Sequence, residues 1–301
     1  MDTSSHPGLT IKIAVFGTEF SATRKLAKSL NSISIIRGAN FSGLIPHQLW
    51  NLSSLRYLSL GDNSDLYVDN LRWMSGLSTI QYLGLSSADL HREVDWLQIM
   101  SKFPSLMELY FTSLLRLDLT NSSLKGNIPP SIFDLEKLES LSLYTNKLVE
   151  QIPEPLSQFK HLTYLDLGVN SLNGPIPSSF GNLSRIRTLL LDKNRLNGTI
   201  PKSHGLLSKL EALYVGKNSL MGIVDEGHFR KLSKLKVLYM TEARLFFNVN
   251  SNWVPPFPLD HFSMSSMKIG PNFPSWLQSQ RSLIFLDMSM FGISGKTPSW
   301  F

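Results

Sequence analysis

The sequence contains no cysteine, which excludes a disulfide framework, a thiol nucleophile and thiolate metal ligation together. It has no apolar run of about 20 residues, the length a membrane-spanning helix requires. The opening MDTSSHPGLTIKIAVF lacks an early basic region, and Lys12 interrupts its apolar stretch, so no secretory leader is legible there. There is no G-x-S-x-G elbow, and the seven histidines are scattered without metal-ligand spacing. The densest polar cluster, His91 with Glu93 and Asp95, reads as the solvated start of a helix. The net charge of +6 is spread along the chain rather than gathered into the Lys/Arg runs that nucleic-acid binding needs. Enzyme activity, a metal, a cofactor, a nucleic-acid partner and direct membrane contact are therefore not expected.

What is present is a period. From Leu114 to Pro201 the chain aligns without a gap in lines of 24 residues. Leu114, Leu138, Leu162 and Ile186 head the lines; Leu117, Leu141, Leu165 and Leu189 follow, then Leu119, Leu143, Leu167 and Leu191. The L-x-L spacing puts both leucines on one face of a short strand, because strand side chains alternate. One such coil cannot close a core, but stacked coils bury their leucines against one another. Asn146, Asn170, Asn194 and Asn218 share the column at the end of the strand, where an inward amide can bond turn backbone in its own coil and the next. The ending L-x-G-x-I-P recurs as Leu124/Gly126/Ile128/Pro129, Leu172/Gly174/Ile176/Pro177 and Leu196/Gly198/Ile200/Pro201. There Gly permits a bend and Pro fixes φ. In the line between, Glu150 replaces Gly and is expected to face solvent or strain the bend.

A fixed period in this range with L-x-x-L-x-L-x-x-N is the signature of a leucine-rich repeat solenoid. The L-x-G-x-I-P ending resembles the plant-specific repeat of receptor kinases, receptor-like proteins and polygalacturonase inhibitors. Asp69–Leu71–Arg72–Trp73 and the VDWLQ stretch at 94–98 resemble the receptor-like proteins of the ethylene-inducing xylanase receptor group. The resemblance implies an α/β solenoid: a horseshoe or superhelix with a parallel concave sheet, and short strands, turns or 3-10 helices on the convex side. It implies a plasma-membrane, extracellular location, a ligand-recognition role in plant defence, and a receptor-kinase co-receptor through which signalling passes. Secreted members carry capping cysteine pairs, and the absence of cysteine here is a departure. Two alternatives stay open: a secreted inhibitor of a cell-wall-degrading enzyme, and a truncated, non-functional receptor product.

Residues 1–29 do not fit the repeat and read as an irregular cap or gene-model remnant. Residues 30–301 read as the repeat domain, about ten coils. His91–Lys102 reads as an amphipathic helix. Leu106/Leu109/Phe111 starts a coil, yet Leu114 follows Leu106 by too few residues for a strand and its return path, so a kink or a merged strand is expected there. Met267 stands in the asparagine column and is expected to loosen its coil. LFFNVNSNWVPPFP at 245–258 reads as an apolar return segment that Pro255 and Pro256 hold extended. The final coil, at Leu283/Leu286/Met288, is expected to leave a strand edge and core open.

The strand residues that face away from the leucines form the candidate binding face. One column holds Tyr57, Tyr82, Arg116, Ser140, Tyr164 and Thr188. The next holds Ser59, Gly84, Asp118, Ser142, Asp166, Leu190, Tyr214 and Tyr239, with Tyr144, Asp192 and Lys193 beside it. Tyr and Arg are the residue types that most often carry interface energy, and open solenoids present such faces to ligands. A protein, peptide or glycan ligand is expected. Asn40, Asn51, Asn121, Asn182 and Asn197 begin N-x-S/T sequons, candidate glycosylation sites if the chain is exported. Asp118 and Asp166, two coils or ~10 Å apart, are too distant for a retaining glycosidase pair.

Overall fold

The computed structural model describes residues 33–35, 40–45, 49, 53–68, 77, 79–90, 114–129, 132–133, 135–265, 272–290, 292–294 and 296–301. The leucine columns dictate its architecture. Eleven short strands pair in parallel into one sheet, in the order Ile33–Ile35, Tyr57–Ser59, Tyr82–Gly84, Arg116–Asp118, Ser140–Ser142, Tyr164–Asp166, Thr188–Leu190, Ala212–Tyr214, Val237–Tyr239, His261–Ser263 and Phe285–Asp287. Register follows the sequence columns: Leu141, Leu165, Leu189 and Leu213 are ladder partners in turn. Leu141, Leu165 and Leu189 are fully buried. Each such side chain contributes roughly 1.5–3 kcal/mol by leaving water, so this interior row is the main source of stability.

The asparagine column works as its position predicts. The Asn170 amide donates to the carbonyls of Leu143 (2.9 Å), Gly168 (3.1 Å) and Leu167 (3.2 Å), and its Oδ1 accepts from the Leu148 N–H at 3.0 Å. Asn146, Asn194 and Asn218 repeat this pattern. One coil earlier Ser122 holds the position and reaches the Leu85 carbonyl with its hydroxyl, at 2.9 Å.

The L-x-G-x-I-P ending forms more than a bend. Its first half pairs with the neighbouring coil into small flanking parallel sheets, the largest being Asn197–Gly198, Ser219–Val224 and Arg244–Phe247. The proline then opens a 3-10 turn, as at Glu154–Gln158, Ser178–Asn182 and Lys202–Leu206. Gly126, Gly174, Gly198 and Gly222 all have positive φ, between 72° and 111°, and Glu150 adopts 66° in the same column. Glu150 is both exposed and strained, so the two outcomes expected of it occur together.

One expectation needs correction, and another falls largely outside the described residues. The strand Tyr82–Gly84 pairs directly with Arg116–Asp118, in the register Leu83↔Leu117, so the two are neighbours in the main sheet. The kink or merged strand expected there involves residues 106–111, which lie outside the described residues. The segment read as a return path begins with a strand, Arg244–Phe247, because Leu245 and Phe247 alternate inward with Arg244 and Phe246 outward. Beyond it, Trp253 and Phe257 pack with Phe229 at ring-centroid distances of 5.6 Å each, and Trp276 packs on Phe247 at 5.7 Å. Leu286 in the last strand and Met288 just past it are half-buried. The cap at 1–29, the helix at 91–102, Asp69–Trp73, VDWLQ, Asn51 and Met267 lie outside the described residues.

Candidate ligand-binding surface

The outward side chains of the main sheet gather into three groups. On the first strands Tyr57 and Tyr82 stack with ring centroids 4.0 Å apart and planes 4° from parallel. Sequence places Gly84 two residues after Tyr82, and the tyrosine ring lies over it: a Cβ there would stand 2.8 Å from the Tyr82 hydroxyl. Further along, Tyr214 and Tyr239 stack at 4.5 Å, with Phe285 6.2 Å beyond Tyr239.

Between the stacks lies an open depression of about 400 Å³, lined among others by Arg116, Asp118, Thr120, Tyr144, Tyr164 and Asp166. Asp118 and Asp166 occupy the third strand position, where a carboxylate can close the following turn. Asp118 accepts from the Thr120 N–H at 3.0 Å and Asp166 from the Gly168 N–H at 2.9 Å. The Tyr164 hydroxyl donates to the other oxygen of Asp166 at 3.1 Å. Asp166 is only 6% exposed, which corrects its assignment to the open face: its carboxylate is the partly covered floor of the depression. That burial pushes its pKa up to about 6, against the two hydrogen bonds that favour the charged form. Burial also raises Asp192, and burial with the neighbouring Asp166 raises the Tyr164 hydroxyl.

The structure thus brings Arg116, Asp118, Tyr144, Tyr164 and Asp166 together. Gly168 links Asp192 to them, since a Cβ on Gly168 would lie 3.2 Å from both Asp166 and Asp192 and 3.3 Å from Tyr144. Tyr82 also lines the depression and joins it to the stack with Tyr57, while Tyr214 and Tyr239 form the flanking stack on the other side. Two contributors were missed from sequence. Thr120, hydrogen-bonded to Ser142 at 2.7 Å, and Gly168 both sit two positions past the strand, in the column of Tyr144 and Asp192. Tracing that column through every line would have found them. Of the sequons, Asn40, Asn121, Asn182 and Asn197 are exposed.

The comparisons with known proteins agree with this fold. A family model described as Leucine Rich Repeat matches residues 161–183. The chain is a leucine-rich repeat solenoid. This repeat protein is similar to the tomato (Solanum lycopersicum) "Receptor-like protein EIX2", 43% identical over 76 residues, a stretch that is 25% of this chain and 7% of that protein. "Receptor-like protein EIX1" of the same plant is 42% identical over 76 residues. The chain thus matches only a small part of the length of these curated relatives. Among solved structures it resembles the Arabidopsis receptor kinase HAESA, solved in complex with the peptide hormone IDA and the co-receptor SERK1. That likeness has a TM-score of 0.75 and 26% identity, and covers 88% of this chain and 43% of the other. A bacterial internalin from Listeria monocytogenes has the same fold, with a TM-score of 0.66 at 22% identity, covering 92% of this chain and 72% of that one. Among the described residues no helix is long and apolar enough to cross a membrane.

Proposed function

We propose that this chain is a ligand-recognition segment of a plant cell-surface receptor-like protein, acting in defence on the extracellular side of the plasma membrane. It binds an extended peptide across the outer face of the main sheet and signals through a partner receptor kinase. The observation that carries the proposal is the order of groups on that face: tyrosine stack, acid-floored depression, tyrosine stack. The strands of Tyr82 and Tyr214 are five steps apart in the sheet, or ~24 Å, which about seven extended residues span. Stacked tyrosines offer rigid, amphipathic contact area. Asp118 and Asp166 outnumber Arg116 among the residues that line the depression, which favours a ligand with a basic residue near its middle. The HAESA structure, with its bound peptide hormone and co-receptor, supports a peptide over a glycan and a kinase as partner. In this proposal the chain catalyses nothing: Asp118 and Asp166 serve their turns, and Asp166 is held by Tyr164.

Selection of random peptides against the secreted chain, followed by calorimetry, tests this. Binders are expected to be enriched in a central Lys or Arg. Tyr164→Ala and Tyr214→Ala are each expected to weaken them about tenfold or more with little loss of stability. Binders indifferent to both substitutions would overturn the assignment of the face.

A further inference from the structure

The flanking sheet carries a feature that the concave face does not explain. Met221, Ile223 and Phe246 are 49%, 56% and 50% exposed. They fall on one face because both strands alternate: Leu220 and Val224 point inward on one, Leu245 and Phe247 on the other. Ile223 and Phe246 are direct ladder partners, so the three side chains form one contiguous apolar patch. A bare patch of this kind is a liability for a soluble repeat and calls for a cover.

The adjacent strand supplies a candidate. Asn197–Gly198 pairs with the start of the patch strand, in the register Asn197↔Ser219 and Gly198↔Leu220. Asn197 begins the sequon Asn197-Gly198-Thr199, and both Asn197 and Thr199 are exposed. Thr199 lies against the patch strand itself: its Cγ2 would be 2.8 Å from a Cβ built on Gly222. By register and alternation, Asn197 therefore faces out on the same side as Met221, one strand away, ~5 Å, and about two residues back along it, ~7 Å. We infer that Asn197 carries an N-linked glycan whose core sugars lie over Met221, Ile223 and Phe246, shielding this flank from other proteins while the ligand face stays open. The apolar faces of the pyranose rings meet the side chains, and their hydroxyls face water. This inference rests on the export proposed above, which brings the sequon to the glycosylation machinery.

The full chain, fused to a secretion signal and expressed in plant cells, gives the test. Glycopeptide mass spectrometry is expected to find Asn197 occupied. Enzymatic removal of glycans from the folded protein is expected to raise binding of an apolar-surface dye several-fold. Asn197→Gln should reproduce the rise, Asn182→Gln should not, and adding Ile223→Ser with Phe246→Ser to Asn197→Gln should abolish it. Asn197 left bare while Asn121 or Asn182 is modified would overturn the inference, leave export standing and make the patch a protein-docking face. Every sequon left bare on the secreted protein would overturn the inference, while the peptide-binding test of the proposed function would stand on its own. An occupied Asn197 whose removal leaves dye binding unchanged would also overturn it.

Discussion

The coils from Leu138 to Asn218 and the stretch from Asp225 to Gln280 belong to one sheet but are held together differently. In the first, leucine columns and an asparagine ladder repeat almost without variation. In the second, Ala243 stands where the ladder asparagine was, and the interior fills with rings: Phe229, Phe247, Trp253, Phe257, Phe262 and Trp276. The turn that opens the second stretch is capped by side chains instead of by proline. Asp225 accepts from the Gly227 N–H, and His228 Nδ1 accepts from the Asp225 N–H, each at 3.0 Å. A repeat can thus lose its polar ladder and keep its register, provided aromatic volume replaces the cross-coil bonds.

Truncation tests the comparison most strongly. Phe229 touches Phe247, Trp253 and Phe257, and Phe229→Ala is expected to cost about 3–5 kcal/mol. Leu165→Ala, in the leucine column, is expected to cost about 2–5 kcal/mol. Denaturant midpoints measure both. A Phe229→Ala variant as stable as the parent would remove the aromatic half of the contrast.

Acid sharpens it next. His204 is buried, and its Nε2–H donates to the Pro177 carbonyl at 3.2 Å while Nδ1 has no partner. Burial lowers its pKa from 6.5 to about 4. Between those values the unfolded chain binds the extra proton, so this group's stabilisation is whole above pH 6.5 and is lost as pH falls toward 4. Asp166 has the opposite sign: its folded pKa is raised from 3.8 to about 6, so its contribution is whole below pH 3.8 and is lost as pH rises through 6. Each amounts to about 3 kcal/mol at full extent, and the two largely cancel. Parental stability is expected to be nearly flat between pH 4 and 6. His204→Phe should make it fall with rising pH across that window, and Asp166→Asn should make it rise. Parallel slopes in the two variants would break the assignment.

The ladder itself comes third. Asn170→Ala leaves the Leu148 N–H without its acceptor and removes one of two donors from the carbonyls of Leu143, Leu167 and Gly168, and is expected to cost about 1–3 kcal/mol, read from the urea midpoint. Position 243 has no such bonds to lose.

The lines of 24 residues made the first region legible. Leucine columns, ladder and outward tyrosines follow from a strict period and strand alternation, and the tyrosine pairs stack because the same column recurs in adjacent strands. Three things were not legible, each for a physical reason. Asp166 reads as surface by alternation, yet neighbouring side chains bury it, and a column has no information about what folds over it. The flanking sheet pairs residues 22 apart, as in Lys125↔Lys147 and Asn197↔Ser219, so its partners are staggered against the 24-residue lines. The aromatic interior around Trp253 arises from a stretch without repeat spacing, where nothing local distinguishes a return path from a packed cluster.

The smallest effect bears on how strictly the first region keeps its own rule. Glu150 sits among glycines: Gly126, Gly174, Gly198 and Gly222 have φ of 84°, 72°, 72° and 111°, and Glu150 has 66°. A side chain at positive φ costs about 1–2 kcal/mol per residue, and glycine returns part of that by losing more backbone freedom on folding. Its own carbonyl accepts from the Asn173 N–H at 2.9 Å, a bond a glycine keeps. Glu150→Gly is therefore expected to raise stability by about 1 kcal/mol, seen as a higher urea midpoint with an unchanged slope. A loss instead would mean that the exposed carboxylate stabilises its coil through charge, and that even the most regular coils depend on side chains outside the columns.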